Sequence, residues 1–176
     1  KLINWMLIEN PDIIAYQELG SKYNTVGELK QLASNINHSY AYVWDRGGKQ
    51  AIGISSKWEM ELIEGDNTYD GFAIYKIKNE PYYFIITHLS SSSVNARKNE
   101  SNLIVSKYET LIANGNHVII LGDFNSMASN DSEYANNNIS ERLKERFDKG
   151  NKFNSELNCS STSELTTCDW DYSVMP

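Results

Sequence analysis

The chain has 176 residues, 40% of them hydrophobic and 22% charged, which is the composition of a globular protein and the length of one domain. Apolar runs are all shorter than a membrane span, so no transmembrane helix is expected. A net charge of -7 argues against a broad basic surface and strong non-specific attraction to nucleic acid, although an acidic cleft holding a cation can still receive a phosphate.

Leu2, Ile3, Met6 and Leu7 recur at helical spacing, and the helix is expected to stop before Asn10-Pro11, because the residue before a proline is pushed out of the helical region. No signal peptide is legible at Lys1, and the chain opens inside a helical pattern, so it reads as a fragment and its compartment stays open. Residues 12–18 form a short, largely buried strand that ends in Gln17-Glu18. A glutamate there is expensive unless something pairs with it, and the alternative is an ordinary loop glutamate. Val26, Leu29, Leu32, Ala33 and Ile36 mark a second amphipathic helix. Strands follow at 39–44, 50–56 and 59–63. The segment 72–78 alternates, which predicts one solvated face, and the turn Asn79-Glu80-Pro81 links it to a strand at 82–87 that ends in His88.

Residues 90–93 are a serine loop, and a long helix spans about 95–114, ending at Asn114-Gly115-Asn116. The run Val118-Ile119-Ile120-Leu121 reads as a strand buried on both faces, followed by Gly122-Asp123-Phe124-Asn125-Ser126. In extended chain, Asp123 and Asn125 project to one side, and Gly122 admits a ligand or another backbone. The alternative is a strand entering an Asp/Asn turn. Residues 126–138 read as a surface loop. Asn138 and Glu141 suit a capping box for a helix carrying Ile139, Leu143 and Phe147, and residues 169–175 read as a last strand. Cys159 and Cys168 close a small disulfide loop in an oxidising compartment, which would favour secretion or a periplasm, or else remain two thiols. No spacing suggests zinc.

Glu18, His88 and the Asp123/Asn125 pair therefore stand at the ends of three strands, where sites gather in α/β folds. Magnesium takes oxygen from one or two carboxylates, a role that suits Glu18. Asp123 can ligate as well, or take a proton from water. Asn125 and His88 can donate to a phosphate. A lone strand-end histidine is more often structural, but four such residues at comparable positions are harder to set aside together.

These residues also resemble a family. Residues 11–18, Pro-Asp-Ile-Ile-Ala-Tyr-Gln-Glu, resemble the "PDI…QE" segment of the endonuclease/exonuclease/phosphatase superfamily, whose fold is deoxyribonuclease-I-like. Thr87-His88-Leu89 resembles its "THL" strand end, Gly122-Asp123-Phe124-Asn125 its "GDFN" signature, and residues 50–56, more loosely, its "G-x-A-I-L-S" strand. Arg97 stands where the family often has an arginine, and Glu100 where it usually has a glutamine. The resemblance covers nearly the whole chain, in the family's order. It implies a single α/β domain over residues 1–176, built as a four-layer α/β/β/α sandwich and incomplete at both ends. It implies phosphoester hydrolysis dependent on magnesium or manganese. Glu18 is then the metal ligand, His88 the phosphate-contacting histidine, Asp123 the residue that activates water, and Asn125 the group that orients Asp123 and the phosphate. Asp171, with Asp169 as the other candidate, resembles the aspartate that orients a later histidine.

The family's first strand, with its metal-binding asparagine, and its closing Ser-Asp-His segment have no match, so this chain is expected to lack part of the catalytic set. Two functions follow from the sequence: a metal-dependent phosphoester hydrolase, or a catalytically incomplete sandwich that acts as a binding or interaction module. The expected substrate is a phosphoester in nucleic acid, a phospholipid head group or a phosphorylated small molecule, and the expected state is a monomer. Tyr40, Tyr42, Trp44 and Trp58 can stack on bases, although such aromatics more often pack within sheets. The serine loop and the 126–138 segment follow site residues and are the expected substrate-selecting elements. Neither carries the basic cluster of a polyphosphate reader.

Overall fold

The computed structural model describes residues 2–20, 22–45, 51–68, 70–91, 93–128 and 167–169. Contacts divide the chain into two compact units. The first is Lys1–Leu89 with Asn99–Asp123, and the second is Ser90–Lys98 with Phe124–Pro176.

The first unit contains α1 (Leu2–Glu9), β1 (Ile13–Leu19), α2 (Val26–Ser34), β2 (Tyr40–Trp44), β3 (Ala51–Ser56), β4 (Met60–Asp66), β5 (Phe72–Ile77), β6 (Tyr82–His88) and β7 (His117–Asp123). Helix α3 (Val94–Ala113) begins in the second unit and continues into the first. Most boundaries lie where the sequence puts them. Thr25 caps α2 by accepting from the Glu28 N–H, and Asn10 closes α1 in a left-handed conformation, φ 45°.

Two sheets result. One has the order β1-β3-β2 and is antiparallel throughout, while the other has the order β4-β5-β6-β7, antiparallel except for the parallel β6–β7 pair. Ile52, Ile54, Met60, Ala73, Tyr75, Phe84 and Ile86 pack between the sheets as the central core. On the outer face of the first sheet, Leu29 and Ala33 of α2 pack with Leu19, Ala41 and Ala51. Over the second sheet, the 99–113 part of α3 buries Ile104 and ties Lys107 to Glu64 of β4 at 2.7 Å. The layers are therefore helix, sheet, sheet, helix, the order expected of the sandwich. At the end of the sandwich where β2 and β4 finish, the Trp44 indole lies so close to Gly65 that no Cβ would fit there, and its Nε1 donates to Asn67 Oδ1 at 2.8 Å. A buried polar chain ties α2's exit to the first sheet: Tyr16 and His38 both bond Ser55 Oγ, at 2.9 and 2.7 Å, and His38 Nε2 donates to the Pro11 carbonyl at 2.9 Å.

Three expectations are corrected. Strand β5 has no solvated face along most of its length: Ala73 and Tyr75 face the central core, and Phe72 and Ile74 on the other face are covered as fully. Strand β7 is not buried on both faces. Among the described residues it pairs only with β6, and Ile119 is 52% exposed. The 126–138 segment opens not as a loop but as β8 (Ser126–Ala128), antiparallel to β9 (Thr167–Asp169) in the second unit. Strand β9 reaches the start of the expected last strand. The helix after Asn138, Cys159 and Asp171 lie outside the described residues, as does the side chain of Cys168.

Burial raises the Tyr75 phenol well above its ordinary 10.0, and Tyr42, with its ring centroid 5.7 Å away, adds to the shift. Burial likewise raises Tyr16 and Tyr42. The unfolded chain ionises tyrosines from about pH 10 upward while the folded state keeps these neutral, so their contribution is intact below that pH and is lost as pH climbs through the raised values. Tyr75→Phe should flatten the fall in melting temperature above about pH 10 and leave the neutral-pH value within a few degrees. Thermal unfolding at stepped pH measures both.

Candidate functional site

Strands β1, β6 and β7 each deliver one of the expected side chains to the same place. His88 Nε2 lies 3.8 Å from Glu18 Oε1 and 3.9 Å from Asp123 Oδ2. Both separations exceed hydrogen-bond length, and both are within ion-pair range. The His88 side chain is 12% exposed, against 65% for Glu18 and 52% for Asp123, so an enclosed imidazole faces two carboxylates open to solvent.

Parallel pairing sets His88 opposite Asp123, with Thr87 opposite Gly122 one step before. The Leu89 N–H then donates to the Asp123 carbonyl at 2.9 Å, which extends the register past the strand end. Side chains alternate, so His88 shares the inner face of β6 with Phe84 and Ile86, and Asp123 that of β7 with Leu121. Gly122 has φ 148°, and a Cβ there would overlap the Thr87 carbonyl oxygen. This is the close backbone approach expected of that glycine.

Glu18 reaches the site by a different device. Ile13 and Ala15 pack into the central core, whereas Tyr16 and Leu19 both pack on the α2 side. Strict alternation does not allow Tyr16 and Leu19 to share a face. The β1–β3 register shifts between them, and this bulge frees Glu18 from the face that Tyr16 occupies. Its φ is 54°, while the other non-glycine residues with positive φ among those described are Asn10, Asn37, Asn79 and Asn125. Asparagine tolerates that region through local hydrogen bonding, and glutamate does not, so the fold holds Glu18 in a conformation costing about 1 kcal/mol.

Asn125 also has positive φ, 46°, so the extended alternation expected to align it with Asp123 ends at Asp123. It belongs to the second unit. Asp171 lies outside the described residues, and Asp169 is the last residue of β9.

Sequence reasoning missed the support beneath His88. Thr87 is fully buried, and its Oγ1 donates to the Gly71 carbonyl at 3.2 Å. A hydroxyl closing the apolar run Phe84-Ile85-Ile86 was the available signal, since it must find an acceptor. Glu100, 2% exposed, accepts from the Asp70 and Gly71 N–H groups at 2.6 and 2.9 Å.

The two positive-φ residues give opposite expectations. Gly122→Ala should destabilise the chain by several kcal/mol, through backbone overlap as well as strain. Glu18→Gly should unfold no earlier than the parent, because glycine relieves the strained φ. Chemical denaturation of the two variants tests the pair.

Solved structures share this fold at low identity. ANGEL2, a 2',3'-cyclic phosphatase, superposes with a TM-score of 0.56 at 13% identity, covering 99% of this chain and 55% of that one. An endonuclease/exonuclease/phosphatase family protein from Bacteroides thetaiotaomicron gives 0.51 at 18% identity, covering 72% and 54%. TDP2 from Caenorhabditis elegans gives 0.50 at 20% identity, covering 70% and 42%. The chain thus spans about half the length of the solved structures it matches. No curated protein sequence matches it. The sequence profile described as Endonuclease/Exonuclease/phosphatase family matches residues 1–173, and the chain belongs to that family.

Proposed function

We propose that this chain carries the site of a divalent-metal-dependent phosphoester hydrolase. The observation that supports it most is the meeting of Glu18, Asp123 and His88 from three strands, each carboxylate within 4 Å of one imidazole nitrogen. Family membership supports the reaction class, and ANGEL2, which shares the fold, is a 2',3'-cyclic phosphatase.

The donor set fits a hard cation. Among the described residues no group of three or more His, Cys, Asp or Glu side chains could hold a metal ion. Magnesium does not need one: it binds through one or two carboxylates and keeps water and substrate oxygens for the rest. Glu18 would be the ligand, held by its bulge in an exposed position, with Asp123 the nearby second carboxylate. Magnesium or manganese bound there supplies positive charge to offset the phosphate, which a chain of net charge -7 does not otherwise offer.

Asp123 accepts a proton from the attacking water. As the water oxygen bonds to phosphorus, the bond to the leaving oxygen breaks in line. His88, mostly enclosed, donates from its ring to a non-bridging oxygen and stabilises the charge that builds there. Asn125 keeps the role that the resemblance gives it, orienting Asp123 and the phosphate, and Asp171 that of orienting a later histidine. The substrate is a phosphoester of nucleic acid, a phospholipid head group or a phosphorylated small molecule.

Hydrolysis of bis(p-nitrophenyl) phosphate by the full-length protein should require added magnesium or manganese and stop with chelator. Asp123→Ala should lower kcat by about 10²–10⁴-fold without unfolding the protein. Full activity in that variant removes Asp123 from its role. A folded parent with no metal-dependent turnover favours the binding-module function instead.

A further inference from the structure

We propose that Glu100 is a positioning residue that sets the His88 imidazole through a glycine, Gly71, held at its N–H and at its carbonyl. The inference rests on the assignment of His88 to the reaction. Gly71 is held from both sides: its N–H donates to Glu100 Oε1 at 2.9 Å, and its carbonyl accepts from Thr87 Oγ1 at 3.2 Å. The neighbouring Asp70 N–H donates to the same Glu100 oxygen at 2.6 Å. One carboxylate oxygen on α3 therefore holds the N–H groups of two consecutive residues just before β5, and the carbonyl of the second, in the peptide that follows, accepts from Thr87, the residue before His88.

Several features make this a device for His88 and not a general brace. Gly71 has φ 90°, and a Cβ there would overlap the Asp66 carbonyl, so its peptide orientation is imposed by its surroundings. Carboxylate acceptors make shorter and stronger bonds than neutral ones, which suits a group that must hold two adjacent N–H groups. Thr87 is fully enclosed, its backbone lies between β7, where its carbonyl packs against Gly122, and β5, where it pairs with Phe72, and its side chain is held by Gly71, the residue before Phe72. Releasing the clamp lets the end of β6 shift against β7. That movement displaces His88 relative to Asp123 and leaves Glu18, on β1, in place. The predicted loss therefore falls on the chemical step and not on substrate capture.

The test compares Glu100→Ala with Glu100→Gln, whose amide oxygen can still accept both N–H bonds. Thr87→Val and Thr87→Ser form a second pair that removes or keeps the hydroxyl. Two measurements are made on each protein at one fixed pH: kcat and KM on bis(p-nitrophenyl) phosphate, and the ring NMR resonances of His88, assigned by His→Gln replacement among the 3 histidines. Glu100→Ala and Thr87→Val should shift the His88 ring resonances and lower kcat about tenfold or more, with KM within about twofold. Glu100→Gln and Thr87→Ser should restore both to near the parent. Unchanged His88 resonances in folded Glu100→Ala or Thr87→Val overturn the proposal, as does a loss in the Gln variant equal to that in Ala. A parent without turnover defeats the hydrolase assignment alone, since the His88 resonances still decide whether Glu100 positions the ring.

Discussion

The parallel seam between β6 and β7 is the constraint on which the site depends. It places His88 opposite Asp123, and it tolerates only glycine opposite Thr87, because the Thr87 carbonyl occupies the space where a side chain would begin. Two candidate site side chains are thus fixed by one register. A slip of β7 by one residue would turn Asp123 to the opposite face, away from His88 and Glu18. The Leu89 N–H to Asp123 carbonyl bond carries that register one step beyond the last strand pair, where the candidate site lies.

The third carboxylate is brought in by irregularity. Glu18 faces the site because β1 breaks its pairing with β3 and accepts a left-handed residue that glutamate disfavours. Regular pairing supplies rigidity for His88 and Asp123, and a local defect supplies the aim of Glu18. Such division of labour suits the metal-ligand role proposed for Glu18, which needs exposure and a chosen direction more than burial. Around it, the Trp44–Gly65 contact and the Tyr16–Ser55–His38 chain hold the first sheet to its neighbours, so the bulge sits in a fixed frame.

Much of this was legible in the sequence, for identifiable reasons. Glu18, His88 and Asp123 each end an apolar run, and polar residues in that position stand out against the two-residue period of a strand. The layer order was implied by the resemblance to the endonuclease/exonuclease/phosphatase superfamily and not by the runs themselves. Burial was less legible. The alternation of β5 reports side-chain polarity, whereas its coverage depends on what packs over each face of the sheet, and the apolar run of β7 gave no hint that Ile119 would stand at an edge. The bulge was invisible because it exists only in the pairing of β1 with β3. Glu100 was noticed as a departure from a pattern, but its role was hidden, since its partners are backbone N–H groups in a distant loop and carry no side-chain signature. Asn125 followed extended geometry on paper and a left-handed turn in the fold.

The crossover between β6 and β7 also bears on how the chain folds. Strands β4, β5 and β6 are joined by short antiparallel connections, and pairs of that kind close quickly because little chain entropy is lost. Strand β7 reaches β6 only across the 20-residue helix α3, a longer connection that costs more chain entropy to close. His88 sits on a local hairpin, whereas Asp123 is brought to it from across that connection. An ion held between the two would therefore favour molecules whose sheet is complete.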